Sequence, residues 1–255
     1  MPTESALFVK PGSIVRKIWG DADVILLIFA GSAAEFALNK EVDWLFFTGK
    51  LPADPIGRLF STVRYAQEIV FQDECKARQV VGRMHAIHGG VEQSRGRSIP
   101  AHAYRDVLYM LIDYSMRAFE LLHRPLTEAE KNELFTVFRR VGAGMHLAEL
   151  PDTLADWRAD RQRHLDANLE RSPYTDRLFA RYRDELGSWR YDLLLRAQSL
   201  LVPERVRTLL GLPKAPVLAS ALWLYGLLNA LRLRRVVQRM LLPPKYLRQV
   251  QALDR

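Results

Sequence analysis

Apolar residues recur at helical spacing along nearly the whole chain, and the two-residue alternation of a half-buried strand is almost absent. Short β-branched runs bounded by turns, the mark of hairpins and sandwiches, are equally scarce. An all-α fold is expected. With 255 residues and 49 % hydrophobic content, the chain can bury one substantial core. No repeat or linker divides it, so residues 1–255 read as a single globular multi-helix domain.

Local signals place the helix starts. Pro2, Pro11 and Gly12 mark a loose lead over residues 1–19. Asp21 can cap a helix that runs from Val24 past Gly31-Ser32-Ala33-Ala34 to Leu38. Those small residues admit a close neighbour, either a second helix or a flat ligand, and the helix is the favoured reading. Trp44 to Phe47 form an apolar patch, and Asp54-Pro55 can open a helix carrying Arg58 and Thr62. Asp73 can start the next, ending before Gly89-Gly90, with a polar surface loop over 93–103. An apolar helix over 104–122 follows, ended by Pro125. Thr127 and Glu130 have capping-box spacing and open a helix to about Val141. Pro151 and Asp152 open another, carrying Trp157, and further helices are expected over 174–201 and 203–210.

The formal net charge is +8, which favours anionic surfaces without identifying one. The arginines are spread, as at Arg158, Arg161, Arg163, Arg181 and Arg183, and such spacing reads as a solvated helix face. No basic block interleaved with aromatics is present, so nucleic-acid binding is not expected. Residues 215–240 form an apolar C-terminal helix whose uncharged part, 215–231, is at the lower limit for a membrane span and is followed by Arg232, Arg234 and Arg235. Burial of this helix is the favoured reading, with peripheral membrane contact as the alternative. The start of the chain lacks the pattern of a secretory signal, and Cys75 is the one cysteine, so a cytoplasmic, reducing setting is expected.

Phosphate-cradling glycine loops and the Gly-x-Ser-x-Gly elbow are missing. Glu120 and His123 make the one Glu-x-x-His pair, whereas a di-iron bundle needs two. His85 and His88 share one helical face beside Val80, Val81 and Met84. Imidazole can hold haem iron from one side, but on spacing alone a hydrogen-bonded core histidine is the better reading. Arg58 and Thr62 also share a face, and on spacing alone they read as a helix-start arginine and a packed threonine.

Taken together, these residues resemble a known pattern. The run from Asp54 to Thr62 is similar to the Arg-x-x-x-Thr signature of the superfamily of rubber oxygenase (latex clearing protein) and the fungal mycophenolate-pathway oxygenase. Val80 to Val91 resembles that family's His-x-x-Val helix. Leu126 to Glu130, Glu149-Leu150-Pro151, Leu201 to Arg207 and Leu242-Pro243-Pro244 resemble its later segments, in order, so the likeness covers the chain from about Gly20 onward. It implies an all-helical fold with a haem-binding pocket, and in the rubber-oxygenase branch a b-type haem. It implies oxygenase activity, an oxidoreductase reaction, on an unsaturated apolar and perhaps isoprenoid small molecule with O2. The family's iron ligand falls on His88, with His85 as the alternative. Arg58 and Thr62 carry over as cofactor-contacting and catalytic positions. Aligning on Thr48-Gly49 places Asp43 as the acidic catalytic residue, a base for an allylic proton. A non-catalytic haem- or lipid-binding protein is the alternative function.

The sequence departs from the family pattern in three places. Ser61 stands where the branch has a distal lysine. Met110 to Tyr114 stand where many members have Trp-Val-His, and Asn39-Lys40 where many have His-Pro.

Overall fold

A computed structural model describes residues 6–47, 55–212 and 252–255. Among them are eleven helices and no strands. They are α1 (Ile14–Trp19), α2 (Ala22–Phe36), α3 (Asp43–Phe47), α4 (Pro55–Phe71), α5 (Glu74–Arg95) and α6 (Ala101–Leu122). Then come α7 (Glu128–Gly144), α8 (Leu154–Ala167), α9 (Pro173–Leu186), α10 (Ser188–Leu201) and α11 (Glu204–Leu210).

The helix starts follow their caps. The Asp21 side chain accepts from Asp23 N at 2.9 Å, and Asp73 accepts from Lys76 N at 2.9 Å. Thr127 and Glu130 close the capping box, with Thr127 Oγ1 accepting from Glu130 N and Glu130 accepting from Thr127 N. Proline occupies the first position of α4 and of α9.

Several helix boundaries differ from the sequence reading; α8 starts at Leu154 on a Thr153 cap, after Pro151 and Asp152. Helix α5 runs through Gly89-Gly90 to Arg95 and ends at Gly96, φ 70°. A glycine stop needs a left-handed residue, and among the described glycines only Gly12, Gly96, Gly187 and Gly211 have positive φ. The polar stretch after it is correspondingly short, because α6 already starts at Ala101.

The centre of the molecule is α2 against α6. Gly31 permits this approach, since a Cβ there would lie 2.3 Å from the Tyr114 ring. The small residues of α2 thus serve helix packing. Helix α10 packs on α2, α7 on α6, and α4 alongside α5. The segment read as a lead contributes to the core: Phe8, Val9, Ile14, Val15, Ile18 and Trp19 are buried. Trp19 packs edge-on against Phe29 and beside Phe138. No described helix is long and apolar enough to cross a membrane, and residues 215–240 lie outside the described residues.

Candidate functional site

Helix α5 has two halves of different character. Ala77, Val80 and Val81 are buried, while Gly82, His85, Ala86 and Gly89 beyond them are exposed and Ile87 is 47 % exposed. A Cβ at Gly82, Gly89 or Gly90 would meet nothing within 4 Å, so this part of the helix has open flanks. The two candidate iron ligands stand here, facing different neighbours. His85 packs its edge against His146 of the turn after α7, ring centroids 5.2 Å apart. His88 is half-buried, edge-on to Tyr104 of α6 at 5.3 Å.

The His88 ring is fixed by its own helix. Its Nδ1 donates to the Met84 carbonyl at 2.8 Å. A carbonyl only accepts, so Nδ1 carries the hydrogen and the neutral ring has its lone pair on Nε2. This is the tautomer of a metal-binding histidine, oriented by a hydrogen bond through its second nitrogen.

The same face continues one turn on. Glu92 accepts from the Tyr104 hydroxyl at 3.2 Å and from Ile99 N at 2.8 Å. Burial, and then the Glu92 charge, push the Tyr104 phenol well above its usual range. Farther along, Arg95 forms an ion pair with Asp43 at the start of α3. Its guanidinium lies 4.0 Å over the Trp44 ring. The sequence-predicted base Asp43 is thereby brought to the end of the helix that carries His88. Thr62 is half-buried on α4, which packs beside α5. Arg58 and Ser61 occupy α4 as well, and their side chains lie outside the described residues.

Among the described residues no three histidine, cysteine or acidic side chains converge on a metal-sized site. Glu120 instead accepts from Leu126 N at 3.0 Å, and His123 pairs with Asp21 at 3.1 Å. A haem iron asks less of the protein, since the macrocycle supplies its equatorial ligands and one imidazole suffices. The His88 tautomer fits that requirement.

The described residues also enclose a polar network that the sequence reading passed over. Arg161, counted there with the solvated arginines, is 4 % exposed. It donates to both oxygens of Glu35 at 2.6 Å and to Asp113 at 3.1 and 3.2 Å. Glu35, 1 % exposed, also accepts from the Tyr114 hydroxyl at 2.9 Å. Burial works against the Arg161 charge, but Glu35 and Asp113 outweigh it and hold its pKa above the ordinary arginine value. Burial, reinforced by Glu35, raises the Tyr114 phenol. A second buried set joins Asp106 to His164 Nδ1 at 2.5 Å and to Asn39 Nδ2 at 2.8 Å. The signal was present in the spacing. The helical period that carries Leu154, Trp157 and Leu165 inward carries Arg161 and His164 with them. Asn39, Asp113 and Tyr114, all at positions where the sequence departs from the family pattern, belong to these networks.

An apolar cavity of about 210 Å³ lies between α2, α4, α9 and α10. It shares α4 with Arg58 and Thr62 through Ile56, Phe60 and Val63. Asp43, His85 and His88 do not line it.

Comparison with known proteins agrees with the order of the motifs. No curated protein and no solved structure matches the chain. One family model does, described as ER-bound oxygenase mpaB/B'/Rubber oxygenase, catalytic domain, and it matches residues 17–244. That span takes in α2 to α11, the His88 helix and the Arg58–Thr62 helix, and the chain belongs to this oxygenase family.

Proposed function

We propose that this oxygenase-family chain is haem-dependent, with His88 holding the iron of a b-type haem and an unsaturated apolar, isoprenoid-like molecule as substrate. The observation that carries the reading is the bond from His88 Nδ1 to the Met84 carbonyl, which supports Nε2 as the nitrogen a haem iron would use. When bound, the haem supplies the iron that activates O2. The chain's own residues do the rest. Met84 holds the His88 ring and Tyr104 limits its rotation. Arg58 would hold a haem propionate, for which a guanidinium fork is suited, and Thr62 would line the site. Asp43 takes an allylic proton, with Arg95 engaging its Oδ2 and leaving Oδ1 for the substrate.

A second reading is a haem- or lipid-binding protein without turnover, and the apolar cavity apart from His88 favours it. A reducing, cytoplasmic setting goes with either reading, and the single cysteine supports it. Its charge of +8 and the 215–240 segment support peripheral contact with anionic membranes.

Spectroscopy on protein produced with ample haem tests the proposal. A Soret band is expected, altered by His88→Ala and kept by His85→Ala. Asp43→Ala is expected to lower O2-dependent cleavage of a polyprenyl probe with the band unchanged. Purified protein with no Soret band overturns the haem reading. A band that moves with His85→Ala and ignores His88→Ala transfers the ligand to His85.

A further inference from the structure

We infer that His85 and His146 chelate a divalent transition-metal ion of the copper or zinc kind, at a site separate from His88. The two histidines come from different elements, His85 from the exposed part of α5 and His146 from the turn after α7. Their ring centroids are 5.2 Å apart, with the planes at 74°. An imidazole nitrogen binds such ions at about 2.0–2.1 Å, which puts the metal about 3.2 Å from the ring centroid. At a tetrahedral angle two such rings stand about 5.2 Å apart, which is the separation of this pair. Imidazoles on opposite sides of one ion would stand about 6.4 Å apart, so the spacing fits neighbouring positions.

The backbones under the pair are fixed. Gly144 lies so close to α5 that a Cβ there would be 3.0 Å from Val81, one turn before His85. His146 N donates to Ala143 O at 3.0 Å and Leu147 N to Gly142 O at 3.1 Å, which locks the turn. His146 has φ 59°, a left-handed conformation that favours glycine at a helix end. A histidine at such a position points to work for its side chain. Both rings are exposed, so each can turn a nitrogen to a shared ion without moving the backbone. Gly82 and Gly89, three before and four after His85 on the same face, leave open space for the ion's water ligands. Imidazole nitrogens suit copper, zinc or nickel, whereas magnesium and calcium take oxygen ligands.

Titration of the untagged full chain with Cu2+ and Zn2+ tests this, by calorimetry and by the paramagnetic resonance spectrum of Cu2+. One Cu2+ per chain is expected, with splitting from two nitrogens and tighter binding than Zn2+, and no binding of Mg2+. His85→Gln and His146→Asn, the latter a residue that accepts the left-handed backbone, are each expected to weaken both ions roughly tenfold or more, because either change breaks the chelate. His102→Ala is expected to change nothing, and circular dichroism confirms the fold of each variant. A Cu2+ spectrum without two-nitrogen splitting overturns the inference. Undiminished binding by either folded variant does so too, and reduces the pair to a ring contact. His146→Asn touches neither candidate haem ligand and none of these readouts uses the Soret band, so failure here leaves the haem reading where it stands.

Discussion

Arg161 sits among Leu154, Trp157 and Leu165, where a methionine or leucine would be unremarkable. It is tolerated because two carboxylates reach it through direct hydrogen bonds. Arg161→Leu leaves Glu35 and Asp113 buried with no cation between them, and we expect a loss of about 3–5 kcal/mol in urea unfolding. Arg161→Lys is expected to recover only part of this, because an ammonium cannot reproduce the two parallel bonds to Glu35. Replacing Glu35, Asp113 and Arg161 together by apolar residues is expected to cost much less than Arg161→Leu alone. A lysine variant as stable as the natural protein contradicts the account. At this scale the sequence was legible where the chemistry is local, as at Asp21, Asp73 and Thr127. It was misleading at Arg161, whose partners Glu35 and Asp113 are on other helices.

The start of α7 shows how far one element can be read by itself. Glu130 accepts from both terminal nitrogens of Arg124 and from Thr127 N. Arg124 first, and then the backbone bond, lower its carboxyl from 4.5 to about 2. A depressed folded value means that the unfolded chain binds the proton more readily. The resulting stability is present above pH 4.5 and is lost as pH falls towards 2. Glu130→Gln is therefore expected to flatten the stability–pH curve between those limits, measured by urea unfolding at a series of pH values. An unchanged slope refutes the linkage. Helix ends were less legible than helix starts. Gly89-Gly90 looks like a stop, yet α5 continues because neither glycine takes the left-handed conformation a stop needs, and that cap falls at Gly96.

At the scale of the whole molecule, the chain closes on itself. Leu253 O accepts from Gln67 Nε2 at 2.7 Å, and Asp254 accepts from Ala22 N at the start of α2 at 3.0 Å. Arg255 N donates to Gly20 O at 3.0 Å. Deleting residues 252–255 removes these partners and the buried Leu253 side chain, which also lines the apolar cavity. We expect a loss of about 1–3 kcal/mol, seen as a lower thermal midpoint. A midpoint equal to that of the full chain shows the tail to be dispensable.

The sequence by itself determined the all-helical class, the places where most helices begin and the order of motifs that marks the family. These depend on residues three or four positions apart, whose chemistry is visible in the string. The tertiary structure decided the rest. It set Asp43 against Arg95 at the end of the His88 helix and joined Glu35 to Arg161 across 126 residues. The period of α8 turns Arg161 inward, but which counter-charges meet it there depends on the distant helices that pack beside it, and that is not written in the period of a single helix.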